Sequence, residues 1–177
     1  MFVEHTAESA PEAARPALAA TEKRFGYLPS AVARLAEAPL LLDGFLKLSA
    51  LFEKTSLDPL ARETVVMTLA TRNRCHVCVA MHTAKLRRLD ADPGLVTALR
   101  EGQPLPDARL AALRQYTLTV LATSGEVPEA ELTAFFDAGF TRRQALEVVL
   151  GIGAYTMSTL ANRLTRAEID EPMLPFA

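Results

Sequence analysis

The chain has 177 residues, half of them apolar, and a formal net charge of −2. That balance fits one well-packed globular domain spanning 1–177, or two small fused units sharing a core, and excludes a disordered chain. Lys and Arg are scattered rather than clustered, which argues against nucleic acid as a partner. Charged residues interrupt every apolar run before it reaches membrane-spanning length, which argues against a membrane protein.

Alanine and leucine dominate and no period-2 alternation is sustained, so an all-α fold is expected. Residues 1–9 read as a loose arm with Glu4 and Glu8 and no basic-then-apolar leader, so a cytoplasmic protein is expected. A helix follows from about Pro11 to Arg24, ended by the turn Phe25-Gly26-Tyr27-Leu28-Pro29. Ser30 is the expected N-cap of a short helix to Glu37, and Pro39 opens another to about Lys54. Asp58-Pro59 is a strong start signal, a capping residue followed by proline at the first helical position. The helix behind it is apolar on nearly every side, as a buried helix is, until Asn73-Arg74 breaks it.

The next helix, about 75–89, places Cys78, His82, Leu86 and Leu89 on one face. Asp92-Pro93 starts a short helix that stops at Gly102, and Gln103-Pro104-Leu105-Pro106 is a linker. A helix with Leu110, Leu113, Thr117, Val120 and Leu121 inward ends at Ser124-Gly125, and another covers Pro128–Ala138. Thr141 and Gln144 match a capping box and launch a long apolar helix to about Leu164. The tail, 166–177, is expected to be extended, because Pro172 and Pro175 cannot continue that helix. Asp58–Arg74 and Thr141–Met157 both begin with a cap and carry a glutamate, Glu63 and Glu147, in the second turn. Aligned on those glutamates, Cys75 falls on Thr159, Cys78 on Asn162 and His82 on Arg166. Either a weak internal repeat or a chance likeness of two apolar helices accounts for this.

Cys75 and Cys78 are the only cysteines and form a C-x-x-C unit with His82 four residues on. At a helix start their Cβ atoms lie about 5–6 Å apart, and fraying of the first turn closes the gap to the roughly 3.5–4.5 Å of a disulfide. Orphan amides at the helix N-terminus favour thiolate over thiol, and Arg72 and Arg74 push the same way. His82 lies one turn beyond Cys78, within reach directly or through one water. A core histidine bonded to a carbonyl is the plainer reading, but its place beside both thiols favours a functional one. Glu63 sits in an otherwise apolar helix, where an unpaired carboxylate is costly. If 59–72 and 75–89 form a hairpin turning at Asn73-Arg74, Glu63 and His82 face each other. A Glu63–His82–Cys78 proton relay follows, with an arginine partner for Glu63 as the alternative. His76, inside the motif, either helps hold a thiolate or is simply solvated; nothing is assigned to His5.

Other chemistries fit less well. A c-type haem site needs histidine directly after the second cysteine, where Val79 stands. Zinc would take Cys75, Cys78, His82 and Glu63 or His76, but there is no second ligand pair, and no metal or cofactor is expected. Two cysteines this close cannot staple a secreted fold, and a thioredoxin fold needs βαβ units that are missing.

Glu63, eleven intervening residues, then Cys75-x-x-Cys78-x-x-x-His82 resembles the alkylhydroperoxidase D-like branch of the carboxymuconolactone decarboxylase family. Phe25-Gly26-Tyr27-Leu28-Pro29, Gly139-Phe140, Glu147 and Asn162-Arg163 extend the resemblance over roughly residues 20–166. It implies an all-helical bundle assembling as a homo-oligomer, a trimer or hexamer. It also implies reduction of hydroperoxides through a dithiol–disulfide cycle, with an external dithiol as reductant. By position, Cys78 is the thiol nearest the Glu63/His82 relay and Cys75 its more accessible partner. Helix-terminus exposure favours Cys75 as the attacking thiol, and proximity to His82 favours Cys78, the expected peroxidatic residue. One departure stands out: the family's peroxidase has histidine directly before the second cysteine, where this chain has Val77, its inner histidine being His76. The alternatives are a decarboxylase-like acid–base enzyme using Glu63 and His82, or a non-enzymatic oligomeric redox sensor.

Overall fold

Helix caps written into the sequence set the architecture of the computed structural model, which describes residues 2–177. Nine α-helices and two short 3-10 turns, with no strand among the described residues, follow one another. They are α1 (Arg15–Phe25), α2 (Ser30–Leu35), α3 (Pro39–Phe52), α4 (Pro59–Arg72), α5 (His76–Arg88), α6 (Pro93–Glu101), α7 (Ala108–Ala122), α8 (Glu129–Asp137) and α9 (Arg142–Thr165). Asp58, Asp92 and Asp107 each accept the backbone N–H three residues on, at 2.9, 3.0 and 2.8 Å, fixing the starts of α4, α6 and α7. Thr141 and Gln144 complete the capping box of α9.

Helix α4 is the spine of the molecule. It packs against α5, α6, α7 and α9, and every residue from Thr64 to Ala70 is buried. Its threonines fit there because Thr64 and Thr68 donate back to the carbonyls of Leu60 and Thr64. On one flank Phe135 stacks between Tyr116 and Phe140, with centroids 4.1 and 4.6 Å away. On the other, α9 lies across both α3 and α4. A separate cluster joins α1, α2 and α3, with Leu18, Leu35 and Leu42 buried. No helix of the described residues is long and apolar enough to cross a membrane.

Three expectations change. Ser30 is the first residue of α2, not its cap; its backbone N–H donates to Asp170, which arrives from 140 residues away. The tail is not extended throughout: after Arg166 it turns into a 3-10 helix, Glu171–Phe176, lying on α5. Proline at the start of that turn has the required φ and loses only a donor the turn does not need. The N-terminal arm, whose Met1 lies outside the described residues, is fastened rather than loose. His5 bonds Glu37 at 2.8 Å, and Glu4 accepts from Ser30 at 2.8 Å and pairs with Arg34 at 3.0 Å.

Candidate active site

The turn between α4 and α5 brings the chemistry together. Arg74 adopts the left-handed conformation, φ 53°. The Cys75 N–H bonds the Ala70 carbonyl at 2.9 Å and the Arg74 N–H bonds that of Thr71 at 3.0 Å. These two bonds are the Schellman stop, which satisfies the last carbonyls of α4 and reverses the chain. Cys75 is then the N-cap of α5, with extended backbone, φ −91° and ψ 91°. Because it stands outside the helix proper, no fraying is needed: the two sulfurs lie 2.8 Å apart as free thiols.

Both cysteines are buried, Cys75 1% and Cys78 3% exposed, so Cys75 is not the more accessible of the two. Ala31 of α2 and Ala167 of the tail pack in the cluster that covers them, and neither was visible from local sequence. Cys75 is lowered to about 7, chiefly by the hydrogen bond with Cys78. Burial opposes this; the Cys78 amide, Asn162 and the His82 charge reinforce it. Cys78 is pushed up, first by that same hydrogen bond and then by burial. The pair therefore releases one proton readily and holds the other. Arg72 and Arg74, expected to favour the thiolate, are exposed, and the sulfur–sulfur bond dominates instead.

Glu63 and His82 meet as the hairpin count expects, with Oε2 2.7 Å from Nδ1. Glu63 is 1% exposed, and its second oxygen lies 2.7 Å from Lys85 Nζ. Burial works against the Glu63 charge, but His82 and Lys85 outweigh it and hold the carboxyl below its ordinary range. Lys85 in turn pairs with Glu53, and these carboxylates raise it despite burial. Lys85 was missed from sequence, although it lies one turn beyond His82 on α5. No arginine pairs with Glu63 among the described residues; its partners are His82 and Lys85.

Helix α9 supplies the rest. The Tyr155 ring stands edge-on to His82, centroids 5.4 Å apart, and its hydroxyl lies 3.3 Å from Ser49 Oγ. Asn162 Nδ2 donates to Cys78 Sγ at 3.4 Å, while its Oδ1 is buried without a partner among the described residues. The internal alignment, which sets Asn162 opposite Cys78, and the family resemblance at Asn162-Arg163 are the two signals for this residue in the sequence. A small chamber of about 50 Å³ is lined by Cys78, His82, Tyr155, Ser158 and Asn162, but not by Cys75. No hydrogen bond joins His82 to either sulfur among the described residues; imidazole and Cys78 face the chamber together. His76 is exposed. No group of three or more His, Cys, Asp or Glu among the described residues is arranged to hold a metal ion. A larger cavity of about 550 Å³, between α5, α6 and the tail, contains none of the site residues.

The model of the carboxymuconolactone decarboxylase family matches residues 39–114, the stretch that carries Glu63, both cysteines and His82. No curated protein is a sequence match. Among solved structures, the chain is similar to a peroxidase-related protein of Ralstonia eutropha JMP134 with an alkylhydroperoxidase AhpD core. That likeness has a TM-score of 0.83 at 23% identity and covers 97% of this chain and 93% of the other. A peroxidase-related protein of Silicibacter sp. TM1040 aligns with a TM-score of 0.79 at 20% identity, over 97% and 93% of the two chains. The debrominase Bmp8, as a cysteine-to-alanine variant in complex with 2,3,4-tribromopyrrole, aligns with a TM-score of 0.76 at 13% identity, over 99% and 95%. Residues 39–114 are thus similar to the carboxymuconolactone decarboxylase family, and throughout its length the chain has the alkylhydroperoxidase D-like fold.

Proposed function

We propose that this protein is a thiol-dependent peroxidase that reduces hydroperoxides through a Cys75/Cys78 dithiol–disulfide cycle. The observation that carries the reading is the pair itself: two free sulfurs 2.8 Å apart, one of them facing a chamber shared with a carboxylate-bound imidazole. Of the two thiols Cys75, lowered to about 7, is the one that ionises first. Transfer of the Cys78 proton across the sulfur–sulfur contact puts a thiolate on Cys78, which faces the chamber. That thiolate attacks the terminal peroxide oxygen, the O–O bond breaks, and the alkoxide leaves with a proton from His82. Cys78 becomes a sulfenic acid; the Cys75 sulfur displaces its hydroxyl as water and forms the disulfide. An external dithiol then returns two electrons by thiol–disulfide exchange. Glu63 orients His82 and stabilises its cation, and Lys85 keeps Glu63 ionised.

We carry forward a cytoplasmic location, where a reducing dithiol pool exists, and a homo-oligomer, trimer or hexamer. Leu40, Leu146 and Leu164, at 89, 73 and 68% exposure, are apolar side chains that such an assembly would cover. The test follows peroxide loss with a dithiol reductant. Cys75→Ser and Cys78→Ser each lose about a thousandfold or more, as removal of a nucleophile does, and His82→Ala loses about a hundredfold. Alkylation of the wild-type pair by iodoacetamide rises with pH through a midpoint near 7, where Cys75 ionises. A parent protein inactive with every dithiol tried, or serine variants that keep full rate, overturns the reading.

A further inference from the structure

The small chamber opens beside a second, larger space. A vestibule of about 260 Å³ lies between α1, α3 and α5 and shares Val32, Phe45, Met81, His82 and Tyr155 with the chamber. Its walls are largely apolar, with Phe25, Phe45, Leu46 and Met81 among them. Three cations also line it: Arg24, Lys85 and Arg88. Lys85 is neutralised by Glu53 and Glu63. Arg24 and Arg88 have no carboxylate partner among the described residues, and the Arg24 guanidinium lies over the Phe25 ring, 5.4 Å from its centroid. The vestibule's one carboxylate, Glu53, is already committed to Lys85 and Arg62.

Taken together, the two spaces describe a ligand with three parts. The chamber's 50 Å³ holds a few water-sized groups, with Cys78, His82 and Asn162 in its lining. The vestibule holds a compact apolar body, below the roughly 300–1,000 Å³ of sites for drug-sized ligands. Its lining includes two exposed guanidinium groups, Arg24 and Arg88, without a carboxylate partner among the described residues, and these suit a carboxylate. We propose that the vestibule selects small organic hydroperoxides bearing a carboxylate at the end opposite the peroxide, anchored by Arg24 and Arg88 while the O–O–H group enters the chamber beside Cys78. This inference rests on the peroxidase reading above for its chemistry, but the anion site stands on its own geometry.

The experiment compares cumene hydroperoxide carrying a para-carboxylate with its methyl ester, in the wild-type protein and in an Arg24→Gln/Arg88→Gln variant whose folding is verified by thermal melting. Wild type reduces the acid with a kcat/KM about tenfold above that of the ester, a margin that shrinks as salt screens it. In the double variant the acid-to-ester ratio falls to near one. In parallel, the unreactive acid 4-isopropylbenzoate slows alkylation of the cysteines by iodoacetamide in wild type and not in the variant. Equal rates on acid and ester, or a preference that survives in the variant, overturns the proposal. If neither peroxide is reduced but 4-isopropylbenzoate still protects the thiols through Arg24 and Arg88, the anion site holds and the peroxidase reading falls. If the acid instead raises only the rate of disulfide reduction, the vestibule serves the reductant and the substrate assignment is overturned.

Discussion

Asp58 and Thr141 each cap a helix whose second turn carries a glutamate, yet the two helices place that glutamate in opposite surroundings. Glu63 in α4 is sealed inside the protein between His82 and Lys85. Glu147 in α9, its side chain half-buried, accepts instead from the Ser56 hydroxyl and N–H and from the exposed Arg143. The helices also stop differently. Helix α4 ends at a left-handed Arg74, while α9 runs straight through the aligned position and ends about two turns later at a left-handed Arg166. The stop is the same device in both places, since Ala167 N–H bonds the Asn162 carbonyl as Cys75 bonds that of Ala70. Stopping early frees a helix N-terminus for the cysteines; running on brings Asn162 to face them. The two regions are tied where they diverge, by Asn73 to Thr159 at 2.8 Å and by Arg163 to the Arg74 carbonyl at 2.7 Å.

The sharpest way to break this comparison is to neutralise each glutamate. Glu63→Gln removes the charge that stabilises protonated His82, and kcat/KM for peroxide falls about a hundredfold. Glu147→Gln stays within about twofold, because its partners are a serine and an exposed arginine. Equal losses in steady-state assays would refute the assignment of the relay to α4. Stability follows the same carboxylate. Glu63 is lowered from the ordinary 4.5, so its contribution is present above that value and is lost as pH falls through its folded-state pKa. Urea melts between pH 6 and pH 3 show a steeper acid loss in wild type than in the Gln variant.

Core packing gives the next largest effect. At aligned positions α4 has the fully buried Met67 and α9 has Gly151. A Cβ at Gly151 would lie 2.6 Å from Cε2 of Phe52, whose ring is fully buried and stands against Tyr155. Gly151→Ala therefore destabilises by about 1–3 kcal/mol. Two residues on, Gly153 has open space, and Gly153→Ala stabilises by roughly 0.5–1 kcal/mol through helix propensity. Chemical denaturation of the two variants separates close helix packing from propensity; shifts of the same sign would remove the argument that glycine lets α9 approach α3.

These cases also show what the sequence makes legible. Starts of α4, α6 and α9 are readable because an Asp or Thr cap acts within three residues. The Glu63–His82 meeting is readable because a tight hairpin converts sequence distance into height along the helices. Ser30 misleads because its N–H is taken by a residue from the other end of the chain. Burial of Cys75, the Lys85 contact with Glu63 and the amide on Cys78 all depend on how α2, α5, α9 and the tail come together. No local pattern encodes those contacts. Glu63 and Glu147 look alike in their own helices, and only the packing around them distinguishes a sealed carboxylate bonded to His82 from a half-buried one bonded to Ser56.

The smallest effect concerns the stop itself. Arg74 and Arg166 both hold φ near 55° without being glycine, a conformation that costs an ordinary side chain about 1 kcal/mol or more. Arg74→Gly relieves that strain but loosens the unfolded chain, so a gain of about 0.5 kcal/mol in urea denaturation is expected. The Schellman bonds are backbone bonds and survive the change. The same variant also tests what sets the thiolate. If the Arg74 charge mattered, its loss would raise the midpoint for iodoacetamide alkylation. If the Cys78 hydrogen bond dominates, the midpoint stays near 7. An unchanged midpoint with a slightly more stable protein places the acidity of the pair in the sulfur–sulfur contact, which the early stop of α4 creates and the uninterrupted run of α9 does not.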